Sequence, residues 1–295
     1  MFVATLIAAG ALRHEDIERV REAIGHTGAV PGATSWLDEG VAADIFFTGD
    51  MVPVRSAIAD LDLAFDVAVQ DSTQRTKKLL VADMDSTMIT IECIDELADY
   101  AGIKAQIAEV TERAMRGELD FSAALTERVA LLKGLDDGII DICRAERVKL
   151  TSGAKTLIRT LRARGAYTVL VSGGFTRFAE PVAEEIGFHR AIANVLGIAQ
   201  GKLTGTVEFP IVDAERKRTE LVAHADRLGI DLHATLAIGD GANDIPMIQE
   251  SGLGIAYHAK EKARAAADAS ISHGDLTAVL YMLGIPRAEW ADADR

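Results

Sequence analysis

Along the first 70 residues the apolar positions change spacing several times, and each change predicts an element. Residues 2–8 read as a strand. Residues 14–24 carry Ile17, Val20 and Ile24 at helical spacing, and residues 25–32, rich in glycine and proline, read as a loop. Residues 34–37 and 43–47 form a hairpin around Asp38-Glu39-Gly40; a helix over 54–61 and a strand over 63–69 follow. The order βαββαβ predicts a ferredoxin-like split unit over residues 1–70. Residues 70–78 are polar and basic and predict a linker.

The pattern then changes. Leu79–Ala82 is a short apolar run behind a polar stretch, the signature of a buried strand in an open α/β sheet. Residues 90–150 carry no strand signal: 92–100, 103–116, 121–133 and 136–147 are helical, punctuated by Gly102, Gly117 and Gly134. This predicts a bundle of about four helices inserted after the first core strand. Alternation of strand and helix resumes with a helix over 153–164, a strand over 167–171, strands and a hairpin over 191–212, and a helix over 219–228. Strands over 235–238, 252–257 and 269–271, helices over 261–267 and 276–283, and a fraying tail over 286–295 complete the chain. The expected class is α/β: a parallel-sheet core (71–89 and 151–295), a helical insert (90–150) and an α+β N-terminal domain (1–70).

Ligands in such sheets bind beyond the carboxyl ends of the strands, so strand-end residues are the first candidates for chemistry. Asp83 and Asp85 follow the strand 79–82 in Val81-Ala82-Asp83-Met84-Asp85-Ser86-Thr87-Met88. Two carboxylates this close repel unless a metal or a shared proton holds them; the alternative is helix capping by Asp85, Ser86 or Thr87. Ser172-Gly173-Gly174 ends the strand 167–171, where small residues let backbone N–H groups approach an anion; a plain turn is the other reading. Gly239-Asp240-Gly241-Ala242-Asn243-Asp244 ends the strand 235–238, and its hard carboxylate oxygens suit Mg²⁺. Lys217 could reach a phosphate as a point charge, although it stands between Arg216 and Arg218, which leaves the register open by one residue. In the insert, Phe121 and Arg128 are seven apart and share a helix face with Leu125 and Leu132. An arginine there either snorkels outward or pairs with an anion. Glu92 reads as a solvated first-turn acid.

At 295 residues with 49% hydrophobic and 26% charged residues, the chain is globular. A net charge of −14 argues against general binding to nucleic acid or an anionic membrane, and it requires that any phosphate site be made positive locally. Cys93 and Cys143 have neither metal spacing nor a disulfide framework, which fits a reduced cytoplasmic compartment. The apolar start lacks a basic n-region and reads as a strand rather than a signal peptide.

Taken together, Asp83-x-Asp85-x-Thr87, the strand ending in Ser172, Lys217 and Gly239-Asp240-Gly241-x-Asn243-Asp244 fall in the order of the haloacid dehalogenase-like phosphatases, which this chain resembles over residues 79–271. Met115-Arg116-Gly117-Glu118-Leu119-Asp120-Phe121, with Arg128 seven residues on and Glu92 after the first motif, is similar to the phosphoserine phosphatase branch of that family. The resemblance implies a Rossmann-like core with a small helical cap, and an Mg²⁺-dependent hydrolysis in which Asp83 becomes an aspartyl-phosphate and Asp85 is general acid and base. It implies metal ligands from Asp83, Asp240 and the main-chain carbonyl of Asp85, and phosphoryl contacts from Ser172, Gly173 and Lys217. Asn243 and Asp244 would orient Lys217 or metal-bound water. Arg128 would meet the substrate carboxylate, Glu92 its ammonium, and Phe121 would shield the site. The N-terminal unit looks ACT-like, with dimerisation or packing as its expected role, including a homodimer through it. Two other readings stay open: a related phosphatase or phosphotransferase acting on a substrate such as phosphohomoserine, and a non-catalytic amino-acid sensor.

Overall fold

The computed structural model of the chain describes residues 1–291. The N-terminal unit runs β1 (Phe2–Ile7), α1 (His14–His26), β2 (Val30–Asp38), β3 (Ala42–Thr48), α2 (Met51–Ala59) and β4 (Asp66–Asp71). Its antiparallel sheet has the order β2-β3-β1-β4, as a split βαβ unit requires. Because strand residues alternate faces, Ala4, Leu6, Ile45 and Phe47 pack under the two helices, while Thr5, Ile7, Ala42, Asp44 and Ala68 are buried on the other side. The Asp50 side chain starts α2 by accepting from Val52 N–H at 2.9 Å. Residues 25–32 are not a free loop: α1 reaches His26 and β2 begins at Val30.

Residues 70–78, expected as a linker, are also a docking segment. Arg75 donates to Asp44 (2.6 Å) and to the main-chain carbonyls of Tyr281 (2.7 Å) and Met282 (3.0 Å). The Gln70 amide also donates to the Met282 carbonyl, at 2.6 Å. Polar side chains here satisfy the open carbonyls of a helix end rather than water. On the other flank, the Asp66 carboxylate accepts backbone N–H groups from Ser272, His273 and Gly274.

The second sheet starts with β5 (Leu79–Ala82). The insert follows as α3 (Cys93–Tyr100), α4 (Lys104–Met115), α5 (Phe121–Ala130) and α6 (Gly138–Arg147). Then come α7 (Ala154–Ala163), β6 (Tyr167–Phe175), α8 (Thr176–Ile186), β7 (Arg190–Asn194), the hairpin β8 (Leu196–Ala199) and β9 (Lys202–Val207), and α9 (Ala214–Leu228). The chain continues through β10 (Thr235–Gly239), α10 (Ile245–Glu250), β11 (Gly254–Tyr257), α11 (Glu261–Ala266), β12 (Ala269–Ile271) and α12 (Ala278–Met282). The six strands are parallel in the order β12-β11-β10-β5-β6-β7. β5 is covered on both faces: Leu80 and Ala82 pack on one side, Leu79 and Val81 on the other. This explains its unbroken apolar run. The chain winds outward from β5 in both directions, so the crevice beyond β5 and β10 is a topological switch point.

The insert caps this crevice. Gly134 N–H donates to the Leu203 carbonyl (2.8 Å) and Leu203 N–H to the Leu135 carbonyl (2.9 Å), so the α5–α6 connection is stitched to the β8–β9 hairpin. Three other expectations need correction. β6 does not stop at Val171 but runs through Ser172-Gly173-Gly174 to Phe175. α9 begins at Ala214, capped by the Asp213 side chain, rather than at 219. The tail is packed over 286–291, where Trp290 Nε1 donates to the Ile285 carbonyl at 3.0 Å and its ring lies 4.7 Å from that of Tyr281; residues 292–295 lie outside the described residues. Among the described residues no helix is long and apolar enough to cross a membrane.

Candidate active site

The floor of the crevice is built around a buried ammonium. Arg216 and Arg218 turn outward to Glu220 and Glu215, whereas Lys217, Leu221 and Ala225 repeat at four-residue spacing along the buried side of α9. Lys217 is fully buried, and its Nζ lies 2.7 Å from both Asp83 Oδ1 and Asp244 Oδ1. That settles the register left open by three adjacent cations. Asp83 follows β5 directly, with its N–H on the Ile238 carbonyl at 2.9 Å. Both Asp244 oxygens are engaged: Oδ1 by Lys217, Oδ2 by the N–H groups of Asp240 (3.2 Å) and Gly241 (3.0 Å). Asp244 therefore fixes both the lysine and the loop after β10. Gly239 is required there, because a Cβ on it would lie 2.3 Å from the Asp244 carboxyl carbon.

Carboxylate oxygens of Asp83, Asp240 and Asp244 lie within 4.8 Å of one another. Three hard oxygen donors this close suit a divalent cation such as Mg²⁺. The Asp85 side chain is not in this group. Its Oδ1 accepts Cys93 N–H at 3.1 Å and its Oδ2 lies 3.5 Å from the Ser172 hydroxyl. Asp83 and Asp85 thus occupy different surroundings, although both line the same cavity of about 370 Å³.

Burial, with Asp244 nearby, raises the Asp83 carboxyl against the pull of Lys217. Burial lowers the Lys217 ammonium, but Asp244 and Asp83 outweigh it and leave it raised. Burial first, then Glu92, pushes Asp85 up to about 6, which puts a protonated carboxyl within reach near neutral pH. Burial and Asp244 likewise push Asp240 up to about 6.

Ser172 is fully buried, and its Oγ accepts Gly174 N–H at 2.8 Å. A Cβ on Gly174 would lie 2.8 Å from Asp85 Oδ2, so only glycine fits. Phe121, at the start of α5, closes over the strand end: its Cζ lies 3.0 Å from where a Gly173 Cβ would stand. Arg128 does not snorkel. It lines the cavity, with Nε on the Ala124 carbonyl at 3.3 Å and no carboxylate in ion-pair distance among the described residues. Burial lowers its pKa against the opposing charges of Asp95 and Glu92. Glu92 also lines the cavity, held by the Ser86 hydroxyl at 2.6 Å. Asn243 lines it from the β10 side.

Thr87, read from the sequence as a motif residue and a possible helix cap, donates to Asp240 at 3.3 Å. Three residues at the site lacked a distinguishing signal in the sequence. Asn194 holds the Gly173 carbonyl (2.8 Å) and Val212 N–H (2.8 Å), bracing the strand end. Asp95 and Lys260 line the cavity, yet each looks like an ordinary charge at a helix start.

This fold and this arrangement define a class, and the comparisons name it. A model of the haloacid dehalogenase-like hydrolase family matches residues 80–249, and the chain belongs to that family. More particularly, it is 48% identical over 231 residues to phosphoserine phosphatase SerB2 of Mycobacterium tuberculosis, covering 78% of this chain and 56% of that protein. The chain thus spans little more than half the length of that relative. The crystal structure of a probable phosphoserine phosphatase from Vibrio cholerae aligns with a TM-score of 0.78 at 33% identity, over 98% of this chain and 87% of the other. A substrate-bound phosphoserine phosphatase complex aligns with a TM-score of 0.65 at 39% identity, over 70% of this chain and 98% of the other.

Proposed function

We propose that the chain is a phosphoric monoester hydrolase that converts phosphoserine to serine and phosphate, the last step of serine biosynthesis. The observation that carries this is the fully buried Lys217 ammonium, 2.7 Å from both Asp83 and Asp244 at the end of the central strands. It sets a fixed positive charge among the carboxylates of a strongly acidic protein, beside the place where a phosphate would sit. The names of the relatives support serine as the leaving group.

In this reading Asp83 attacks phosphorus in line, with Oδ1 engaged by Lys217 and Met84 N–H and no hydrogen-bond donor on Oδ2 among the described residues. The P–O bond to serine breaks as the P–O bond to Asp83 forms, and Asp85 gives its proton to the departing serine oxygen. Asp85 then takes a proton from water, which attacks the phosphoryl group on Asp83 and releases phosphate. Lys217, the Ser172 hydroxyl and the Gly173 N–H stabilise charge on the transferred group. Asp83, Asp240 and the main-chain carbonyl of Asp85 would hold Mg²⁺, which when bound neutralises charge between the carboxylate and the phosphate. Arg128 pairs with the substrate carboxylate and Glu92 with its ammonium, while Phe121 excludes water.

We read the N-terminal unit as ACT-like and as the surface through which two copies associate; strand β2 pairs only with β3 and has its other edge open among the described residues. A sedimentation profile of monomer alone at micromolar protein would remove that part. Two free, buried thiols, Cys93 and Cys143, suit a cytoplasmic protein.

The test is phosphate release from a panel of phosphorylated small molecules, phosphoserine and phosphohomoserine included, with Mg²⁺ and with chelator. Preference for phosphoserine, lost in chelator, is expected. Equal rates across the panel, or full turnover in chelator, overturns the reading.

A further inference from the structure

The charges lining the cavity are lopsided. Asp83, Asp85, Glu92, Asp95 and Asp240 face it, against two lining cations, Arg128 and Lys260. Those two cations belong to different bodies. Arg128 rides on cap helix α5, together with the Phe121 ring that closes over Gly173. Lys260 belongs to the core: it stands just after β11, at the N-terminus of α11, and its N–H reaches the Asp240 carbonyl at 3.4 Å. It is exposed and has no ion-pair partner among the described residues.

Phe121 and Arg128 share α5, so a displacement of Phe121 to admit a phosphate monoester would carry Arg128 with it. The cation that stays beside Asp240 during entry is Lys260, since Lys217 is already paired with two carboxylates behind the floor. We propose that Lys260 is the capture residue for anionic substrates: it draws the phosphate past the acidic lining before the cap closes. Arg128 then retains what Lys260 has drawn in. This role rests on the phosphatase reading above, and it concerns the entry step rather than bond breaking. Field focusing by a single well-placed charge in a cleft acts on association and weakens with salt.

The test compares wild type, Lys260→Gln and Lys260→Glu across an ionic-strength series. At low salt, kcat/KM for phosphoserine falls about threefold in K260Q and about tenfold in K260E. Both deficits close to within about twofold at roughly 0.5 M salt, where exposed charges are screened. The loss falls on kcat/KM rather than kcat. Inorganic phosphate binding with Mg²⁺, measured by calorimetry, follows the same order and the same salt dependence. A salt slope shared by all three proteins overturns the assignment, as does a kcat loss equal to the kcat/KM loss, which would make Lys260 part of the transition state. If wild type binds phosphate with this Lys260-dependent slope but does not hydrolyse phosphoserine, the substrate reading fails and the capture role stands.

Discussion

The floor of the crevice and the wall formed by the cap are both charged, but in opposite ways. On the floor the charges engage one another: Lys217 lies between Asp83 and Asp244, and the second oxygen of Asp244 accepts two backbone N–H groups. On the wall, Arg128 feels the charges of Asp95 and Glu92 but forms no ion pair to either among the described residues. A buried network whose members hold one another is fixed before a ligand arrives, which suits the proposed stabilisation of a transferring phosphoryl group. A wall with unspent charge is complementary to something that brings its own, in the proposed substrate one carboxylate and one ammonium. Under the proposed function the difference would separate two jobs: the floor would set the rate of the chemistry, and the wall which molecule undergoes it.

The largest expected effect lies on the floor. Asp83→Asn keeps the shape and removes the attacking carboxylate, and kcat for phosphoserine should fall by about 10⁴-fold or more in a steady-state phosphate-release assay. Lys217→Met should come next, and on stability as well as rate. It leaves Asp83 and Asp244 facing each other in a dry site, at a cost of about 3–5 kcal/mol in urea unfolding with chelator present. A change confined to activity would mean that the floor is less tightly coupled than its distances indicate. On the wall, Arg128→Ala should raise KM for phosphoserine about 30-fold or more while leaving p-nitrophenyl phosphate within about threefold. Equal losses for both substrates would erase the division between floor and wall.

The smallest effect comes from a second buried lysine, which serves as a control for Lys217. Lys77 donates to the carbonyls of His233 (2.7 Å) and Gly252 (3.1 Å), and burial lowers its pKa to about 8. Below pH 8 it is protonated in both folded and unfolded states. Between about 8 and the ordinary lysine value the unfolded state binds more protons, so unfolding free energy should rise with pH across that window. Lys77→Met should flatten the rise in denaturant melts taken at a series of pH values. Lys217, raised by its two carboxylates, should contribute no such rise.

Much of this was legible in the residues because the site sits where strands end. The apolar run 79–82 announced Asp83, and the run before Gly239 announced Asp240 and Asp244. Lys217 was legible as a cation but not as the right one of three, because helix registry is decided by which residue the core buries. Gln70 and Arg75 were misread because polar side chains look solvated in a sequence; here they satisfy carbonyls at the end of α12, which come from more than 200 residues away. The tail was expected to fray because the partner ring of Trp290, Tyr281, lies across a turn rather than in a periodic pattern. Asp95 and Lys260 had no local signal at all. A single charge at a helix start is ordinary until the fold turns it toward a cavity.

In the proposed reaction a phosphoryl group resides on Asp83 between the two half-reactions. Acid quenching of wild-type protein during turnover of phosphoserine with Mg²⁺, followed by peptide mass spectrometry, tests this directly. The account predicts a phosphoryl adduct on the Asp83 side chain that is absent from Asp83→Asn. An adduct on Ser86, Thr87 or another acid, with Asp83 unmodified, would contradict it.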